Sequence, residues 1–375
     1  MGGAFKNVPA YKLAAVAIGA ALARAGTTPD QVDEVIMGCV GQAGDPYNAR
    51  RCAIEAGIPV DKTAMTVNRL CGSGLQAICS GAQSIATGQA EIVVAGGDEN
   101  MTMQPFLDFE ARNGYRLGNH TLRDGILTML TDPFSESLMG VTAENVAKRY
   151  NVSRQQQDEF SLSSQMKAKA AIEAGKTKLE IVPVAILDGK KEAVIEADEH
   201  PRPDTTLEAL QKLRPAFEEG GTVTPGNSSG VNDGAAAVVL MSRQKAAELG
   251  LRPRLRFVDF AISGNEPAVM GYAPKLAIDK LLRKQSMSPR DVDVVELNEA
   301  FAAQAVAVIR DANLDPERVN PNGGAIAFGH PVGATGAILT VKTMHELDRR
   351  HAEYGMVTMC IGGGQGIAAL FRNAA

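Results

Sequence analysis

Helical and strand-like patterns of apolar residues alternate along the first hundred residues. An alanine-rich pattern over 12–25 predicts a helix, and the apolar run over 32–38 predicts a strand. A second helical pattern, from 71 to about 87, leads into an apolar strand pattern over 90–97 that ends on a glycine pair. This alternation is typical of a layered α/β unit whose sheet is mostly parallel.

The same order of patterns returns about 260 residues later. Residues 288–297 match 28–37, and the glycine-rich segment that opens a helix at 329–337 matches the one that begins at Cys71. Another apolar strand pattern, over 356–364, again runs into glycines. The chain is therefore predicted to be internally duplicated, with one α/β unit in each half.

The long region between the two matching units, about 103–231, lacks their regular alternation of helix and strand patterns. It contains two amphipathic helical stretches, 142–150 and 153–174, the second with Ser153 as its expected N-cap. We interpret this region as an insertion into the first unit, whose last strand returns at 235–241. The predicted domains are an N-terminal half at 1–102 plus 232–253, an inserted loop domain at 103–231, and a C-terminal half at 254–375.

Composition narrows the class of protein. With 45% hydrophobic and 22% charged residues, the 375-residue chain has the balance of an ordinary globular protein. The net charge of −5 argues against non-specific nucleic-acid binding, and no apolar run is long enough to span a membrane. Five irregularly spaced cysteines fit neither a disulfide framework nor a zinc site, so we expect a reducing, cytoplasmic compartment and no metal.

One cysteine stands where a loop is predicted to turn into a helix. The free N–H groups and the dipole of a helix N-terminus stabilise a thiolate, and this stabilisation lowers the pKa of a cysteine there. Cys71 is therefore a candidate nucleophile. A buried structural cysteine is the alternative that this stretch alone leaves open.

A histidine occupies the matching position of the second unit. If the two units pack about a pseudo-two-fold axis, the helix starts at Cys71 and His330 face each other. The imidazole can then take the proton of the thiol, which makes the cysteine an activated nucleophile. A capping or structural histidine is the alternative.

Two further segments place polar groups at strand ends. Cys360 precedes the glycines at 362–364, whose N–H groups can hold an oxyanion, and its thiol can act as an acid or a base. Asn298 can orient a water molecule or hydrogen-bond the histidine, because α/β sheets place their sites at carboxyl ends of strands. A packed core cysteine is the alternative for Cys360. For Glu299, the residue after Asn298, we favour a role as a salt-bridge partner over a role in the site.

Together these segments resemble the thiolase family, the acetyl-CoA C-acyltransferases. The resemblance covers essentially the whole chain and implies a duplicated fold, with two mixed-sheet halves stacked in α-β-α-β-α layers and an inserted loop domain. The motifs that carry it are Asn68-Arg69-Leu70-Cys71-Gly72-Ser73-Gly74, Asn298-Glu299-Ala300-Phe301, Gly323-Gly324-Ala325-Ile326-Ala327-Phe328-Gly329-His330-Pro331 and Cys360-Ile361-Gly362-Gly363-Gly364-Gln365-Gly366.

The resemblance implies a role for each residue of the site. Cys71 would be acylated, and His330 would activate it and help to hold the thioester oxygen of the incoming acetyl-CoA. Cys360 would carry protons to and from the acetyl α-carbon or the CoA thiol. Asn298 would hold a water molecule of one oxyanion hole, and the N–H groups of Cys71 and Gly362 would form the other.

The resemblance also implies the reaction and its ligands. CoA and a 3-ketoacyl-CoA would give acetyl-CoA and a shortened acyl-CoA, or the reverse, by ping-pong kinetics and with no cofactor beyond CoA as a substrate. The protein would be a homodimer or a homotetramer. By motif, the CoA contacts would be Arg202, Phe217 and Ser229, and the acyl pocket would be lined by Met139, Met270 and Phe301.

Two departures from the family pattern stand out. Leu138 replaces a histidine typical of short-chain biosynthetic members, which puts a preference for acetoacetyl-CoA alone in doubt. Family members also begin with a strand ahead of the segment that matches 2–6, and we expect that strand to be interior to the first sheet. Its absence leaves two explanations, a start codon assigned too late or an impaired, non-catalytic acyl-CoA-binding relative.

Two rival classes of protein agree less well with the motifs. A decarboxylating condensing enzyme of the same superfamily pairs its cysteine with two histidines or with histidine and asparagine, and a cysteine at Cys360 argues against it. A thiol redox protein would need a C-x-x-C pair, which the sequence lacks.

Overall fold

The computed structural model describes residues 1–189 and 191–374. Its helices are α1 (Ala10–Ala25), α2 (Asn48–Glu55), α3 (Ser73–Ala86), α4 (Gly125–Met129), α5 (Met139–Arg149), α6 (Arg154–Glu173), α7 (Leu207–Gln211), α8 (Arg243–Glu248), α9 (Ala273–Lys284), α10 (Ala302–Asp311), α11 (Ala325–Phe328) and α12 (Thr335–Arg350). Its strands are β1 (Glu34–Gly38), β2 (Thr63–Val67), β3 (Ile92–Asn100), β4 (Phe106–Leu107), β5 (Arg123–Asp124), β6 (Val184–Asp188), β7 (Lys191–Ile195), β8 (Asp233–Met241), β9 (Leu255–Gly264), β10 (Val294–Leu297), β11 (Tyr354–Ile361) and β12 (Gln365–Asn373).

Two four-stranded mixed sheets repeat one topology. Their strand orders are β2-β1-β3-β8 and β10-β11-β12-β9. β1 pairs parallel with β3 and β3 pairs antiparallel with β8, just as β10 pairs parallel with β11 and β11 pairs antiparallel with β12. Short 3-10 turns with capping boxes at Thr28 and Ser288 precede β1 and β10. The predicted duplication is confirmed.

The helices divide the molecule into five layers. On the outer face of the first sheet, α1 and α2 bury Ile18 and Cys52. Between the sheets, α3 and α12 share one apolar cluster with both sheets, through Leu75 and Leu339 among others. On the outer face of the second sheet, α9 and α10 bury Leu281 and other side chains. This is the α-β-α-β-α order that the resemblance implied.

The region between β3 and β8 packs mainly against the second half. It holds the hairpins β4–β5 and β6–β7 and the helices α4 to α7. The Ser153 hydroxyl caps α6 by accepting the N–H of Gln156, as predicted. Gln165 of α6 donates to the carbonyl of Ile326 in α11. The inserted segment therefore reaches the part of the second half that leads to His330.

The two sheets differ at their edges. β9 lies at the end of the second sheet, so the matching position in the first sheet is an edge beside β8, and the expectation of an interior strand there is wrong. At the opposite edge β2 pairs with β1, whereas β10 has an isolated bridge between Val295 and Val319 in that position. The residues of β8 are all partly exposed and line a cavity of about 1620 Å³ together with residues of β9. Both differences fall on sheet edges, while the α3–α12 layer keeps its packing on both sheets.

Glycines allow α3 and α12 to touch backbone to backbone. A Cβ added to Gly74 would lie 2.8 Å from the carbonyl oxygen of Gly333. A Cβ added to Gly336 would collide with the backbone N of Leu75. Only glycine permits this approach, because real Cβ atoms do not come so close to a rigid backbone.

Gly336→Ala should therefore destabilise the protein. Overpacking a rigid interior lowers the free energy of unfolding by about 1–3 kcal/mol, and urea denaturation measures that loss. Gly19→Ala is the matched control, since Gly19 is also helical but an added Cβ meets nothing within 4 Å. The control should raise stability by about 0.5–1 kcal/mol. Equal effects of the two substitutions would contradict the close approach of α3 and α12.

Candidate active site

Cys71 lies on a tight loop two residues before α3. Leu70, directly before it, adopts a left-handed conformation with φ of 46°, which is uncommon for a residue with a side chain. The Ser73 hydroxyl holds this turn, because it donates to the carbonyl of Leu70 at 2.6 Å and accepts the N–H of Arg69 at 2.9 Å. The predicted position at a loop-to-helix junction is confirmed, and the loop is fixed from both sides.

The thiol of Cys71 is protonated at rest, contrary to the expectation of a thiolate. Burial raises the pKa of Cys71, while the N–H groups of Gly362 and of Cys71 itself lower it. The net direction is upward, because desolvation of the sulfur outweighs two backbone dipoles. Substrate therefore meets a neutral thiol that needs a base.

His330 is buried and held by three polar groups. Burial lowers its pKa to about 4, so the imidazole is neutral at physiological pH. Its Nδ1 lies 2.6 Å from the Thr335 hydroxyl, whose own hydrogen goes to the carbonyl of Pro331. The hydroxyl must then accept the Nδ1–H, which makes Nε2 the unprotonated ring nitrogen that accepts from the Asn298 amide and can take a proton. Asn232 fixes the backbone by accepting the His330 N–H at 2.9 Å.

Asn298 connects His330 to the end of β10. Its Nδ2 faces His330 Nε2 at 3.3 Å, and its Oδ1 is buried with no protein hydrogen-bond partner among the described residues. A buried, unpaired amide oxygen is suited to a bound water molecule. The contact with His330 is one of the two roles that the sequence suggested for Asn298.

Glu299 makes neutral hydrogen bonds where we favoured a salt bridge. It is buried and accepts bonds from Ser164 at 2.7 Å, from Asn320 at 2.7 Å and from the N–H of Ile326 at 3.2 Å. A carboxylate can be held in this way by donors alone. Glu299 thereby anchors the start of the segment that carries His330.

Cys360 ends β11 in the interior of the second half. Burial raises the pKa of its thiol, and the nearby sulfur of Cys71 raises it further. The thiol donates to Gln304 Oε1 at 3.8 Å. A glycine turn follows, with positive φ at Gly363 and Gly364, and it directs the N–H of Gly362 toward Cys71. Both cysteines and the predicted oxyanion donor thus lie together.

The predicted acyl-pocket residues surround Cys360. Met270 and Cys360 are buried in one apolar cluster, against which Met139 and Phe301 pack. The ring of Phe217 contacts the ring of Phe301 edge-on at 6.2 Å. All of the side chains expected to line the acyl pocket are therefore adjacent to the second cysteine.

The other predicted CoA-contact residues border this cluster. The Ser229 N–H donates to the carbonyl of Ala300 at 2.9 Å, beside Phe301. Arg202 is exposed, and its backbone N–H donates to Gln165 Oε1 at 2.9 Å. The structure thus places Ser229 next to the pocket and leaves the guanidinium of Arg202 in solvent, where an anion can reach it.

Sequence reasoning missed Thr335, Asn232 and Gln304. Thr335 follows His330 by five residues, and its place at the start of a predicted helix was an available signal. Gln304 stood inside a recognised motif without a role. Asn232 lies 98 residues from His330, so no spacing rule could have joined the two.

Comparison with known proteins identifies the family. The thiolase N-terminal domain model matches residues 1–244, and the thiolase C-terminal domain model matches residues 251–373. The chain belongs to the thiolase family.

Individual thiolases are similar along nearly the whole chain. Beta-ketothiolase BktB of Cupriavidus necator is 50% identical over 375 residues, which span 99% of this chain and 95% of the relative. The crystal structure of the Bacillus anthracis acetyl-CoA acetyltransferase superposes with a TM-score of 0.97 at 45% identity, covering 100% and 95% of the two chains. Human mitochondrial 3-ketoacyl-CoA thiolase in complex with CoA superposes with a TM-score of 0.96 at 43% identity, covering 100% and 94%.

Membership in the thiolase family makes the protein an acyltransferase. Within 1–189 and 191–374, no cluster of three or more histidine, cysteine or carboxylate side chains has the arrangement of a metal site. Over the same residues, no helix combines the length and the apolar character that crossing a membrane requires.

Removing the hydroxyl of Thr335 should impair the base at this thiolase site. In Thr335→Val the buried Nδ1–H loses its acceptor, which costs about 1–3 kcal/mol and releases the tautomer. We expect Cys71 to react with iodoacetamide about tenfold more slowly at neutral pH. Thr335→Ser keeps the hydroxyl and should react like the wild type. A folded Thr335→Val with wild-type reactivity would disprove the tautomer assignment.

The pH dependence of Cys71 alkylation should reveal the protonated thiol. Because the pKa of Cys71 is raised above the ordinary value of 9.0, the reactive thiolate fraction should still be growing at that pH. Mass spectrometry of the peptide that carries Cys71 measures its rate of alkylation separately from those of the other cysteines. A rate that already levels off at neutral pH would contradict this, because it would mean that the helix dipole lowers the pKa of Cys71 by more than burial raises it.

Proposed function

We propose that the protein is a thiolase that cleaves a 3-ketoacyl-CoA with CoA into acetyl-CoA and a shortened acyl-CoA, or condenses two molecules of acetyl-CoA in reverse. The observation that carries the proposal is the meeting of two thiols under one oxyanion donor, since Cys71 lies beside Cys360 and under the N–H of Gly362. His330 is neutral, and its Nε2 is the ring nitrogen that can take a proton. The names of its relatives, beta-ketothiolase and acetyl-CoA acetyltransferase, support the same reaction.

The first half-reaction follows from the protonation states. His330 Nε2 takes the thiol proton of Cys71, and the sulfur attacks the 3-keto carbon of the substrate. The bond between C2 and C3 breaks, and its electron pair leaves on the acetyl-CoA fragment as an enolate. The thiol of Cys360 gives its proton to the α-carbon of this fragment, so that acetyl-CoA departs and Cys71 remains acylated.

The second half-reaction restores both thiols. The thiolate of Cys360 takes the thiol proton of an incoming CoA, and the CoA sulfur attacks the acyl carbon on Cys71. The shortened acyl-CoA leaves, and the proton held on His330 returns to Cys71. Each half-reaction develops negative charge on an oxygen, for which the two donor sets are the N–H groups of Cys71 and Gly362, and His330 with a water molecule on Asn298.

The alternative of a non-catalytic relative is not supported. Relatives named as acetyltransferases and ketothiolases match at 50% identity along nearly the full chain. The residues proposed for both half-reactions are all present, with Asn298 against His330 and the apolar pocket around Cys360. The open edge at β8 lies outside the α3–α12 layer that carries the nucleophile.

We assign the CoA-binding function to the inserted domain at 103–231, between the halves at 1–102 plus 232–253 and 254–375. Phe217 and Ser229 border the acyl pocket, and exposed Arg202 is available for a phosphate. Leu138, about one-third exposed beside Met139, supports acceptance of acyl chains longer than acetyl.

We assign the protein to a reducing, cytoplasmic compartment and to a homodimeric or homotetrameric state. All five cysteines are free, which suits a site that needs two reduced thiols. The loop at 103–127 exposes Met103, Phe106, Phe109 and Leu117, an apolar group of the kind that a subunit contact covers.

The decisive experiment is thiolysis of acetoacetyl-CoA by CoA, followed as acetyl-CoA formation. Cys71→Ser should be inactive and should not retain label from radioactive acetyl-CoA. Cys360→Ala should retain the label but complete no turnover, because it lacks the second proton carrier. A chain-length series from C4 upward tests the acyl range on the same assay.

Cys79→Ala supplies the matched control. Cys79 is a buried cysteine of α3 that faces the core between the sheets, so it should keep wild-type turnover and labelling. Labelling of Cys71→Ser at the level of this control would overturn Cys71 as the acylated residue. Normal turnover by Cys360→Ala would overturn the second proton carrier.

A further inference from the structure

The carboxylate of Glu99 bridges the two halves of the molecule. Glu99 lies near the end of β3 and is fully buried. Its Oε2 accepts the N–H groups of Val40 and Gly333, each at 3.0 Å, and its Oε1 accepts the N–H of Gly41 at 2.9 Å. Val40 and Gly41 follow β1 in the first half, whereas Gly333 belongs to the second half, three residues after His330.

These N–H donors belong to the two loops that enclose the nucleophile. Val40 and Val332 lie in the same apolar cluster as Cys71. Val40 is bonded to Glu99 directly, and Val332 is held through its neighbour Gly333. A Cβ on Gly333 would lie 2.8 Å from Glu99 Oε2, so the loop approaches the carboxylate as closely as a backbone can. The position of this carboxylate therefore sets the spacing of the two loops.

Two carboxylates hold the segment that carries His330. Glu299 accepts the N–H of Ile326 before the histidine, and Glu99 accepts the N–H of Gly333 after it. Glu299 belongs to the second half, like the segment itself. Glu99 belongs to the first half, so its hydrogen bond with Gly333 joins this segment to the half that carries Cys71.

We propose that Glu99 is a positioning residue for the reaction, which holds the imidazole of His330 in place relative to the thiol of Cys71 by joining their two loops. The catalytic part of this inference rests on the proposed function. The joining of the loops does not, since the rate of Cys71 alkylation at neutral pH depends on the placement of His330 and reports on the joining without any turnover.

The charge of Glu99 gives a second, independent effect. Three N–H donors favour the ionised carboxylate, although burial raises the pKa of Glu99. The anion in turn raises the pKa of Cys71 and that of Cys39, whose thiol lies 3.9 Å from Oε1. Asp98, the neighbouring carboxylate, is bonded instead to Asn48 and to Cys52 on α2.

Three substitutions separate position from charge. Glu99→Gln removes the charge and replaces one accepting oxygen by an amide NH₂ that cannot accept. Glu99→Asp keeps the charge but is one methylene shorter, so it cannot reach both loops. Asp98→Asn is the matched control, because Asp98 is the adjacent residue of β3 and equally buried, but its carboxylate is bonded to Asn48 and not to the His330 loop.

Three measurements are made on each variant: kcat/KM for thiolysis, the rate of Cys71 alkylation by iodoacetamide at neutral pH, and the pH midpoint of that alkylation. We expect kcat/KM to fall about tenfold to a hundredfold in both Glu99 variants, because a buried N–H loses its acceptor. The alkylation rate at neutral pH should fall in Glu99→Asp, which keeps the charge but no longer holds His330 in place, while its midpoint stays at the wild-type value. The midpoint should move to lower pH in Glu99→Gln. Asp98→Asn should match the wild type in all three measurements.

Several outcomes would overturn the proposal. These are wild-type kcat/KM in both Glu99 variants, a wild-type rate of Cys71 alkylation in Glu99→Asp, or the same changes in Asp98→Asn. If neither Glu99 variant folds while Asp98→Asn does, Glu99 serves the fold and not the site. A wild type without thiolysis would instead refute the proposed function, and the alkylation rate of Glu99→Asp would still report on the joining of the loops.

Discussion

Backbone-to-backbone packing between α3 and α12 is the constraint on which the site depends. Gly74 and Gly336 let the two helices approach without side chains between them, and the loops before both helices are brought together as a result. The loop before α3 carries Cys71, the nucleophile, and the loop before α12 carries His330, the base. The duplicated topology explains this arrangement, since each half contributes the same helix start from the same face of its sheet. A single α/β unit has one such helix start and cannot assemble the pair.

Burial governs the chemistry that follows from this packing. The partly buried thiol of Cys71 and the buried imidazole of His330 stay neutral, because each charged form would lose hydration. The resting site therefore avoids a permanent ion pair, and a thiol in this state is less open to oxidation than a thiolate. Negative charge develops only during the reaction, on the carbonyl oxygen of the substrate, where hydrogen-bond donors are already in place. Before that moment His330 is already fixed, because its ring Nδ1–H donates to Thr335 and its backbone N–H donates to Asn232.

The features that could be predicted are those that a short stretch of sequence specifies. Apolar periodicity located the main helices and strands, and the match of 288–297 to 28–37 revealed the duplication. Cys71, His330 and Cys360 were found because glycine-rich helix starts and strand ends are local signals. Their proximity was inferred only through the symmetry of the two halves, and the contacts of Gly362 and Asn298 agree with it.

Features that depend on the balance of distant groups were not predictable. The thiolate expected at Cys71 ignored desolvation, which no stretch of sequence displays. Glu299 looked like a salt-bridge partner, because its donors Ser164 and Asn320 lie far away in the chain. The place of a strand as interior or edge also depends on the order of strands in the sheet, which periodicity does not contain.

The outer edge of β8 lacks the features that usually protect an edge strand. Its sequence from Gly234 to Met241 is uncharged and rich in alanine and valine, and it lines a cavity together with residues of β9. Natural edge strands are usually blunted by lysine, proline or a bulge, and an unblunted one is a template for pairing with a further strand. This part of the molecule is therefore suited to strand addition, on a different surface from the one that performs the chemistry.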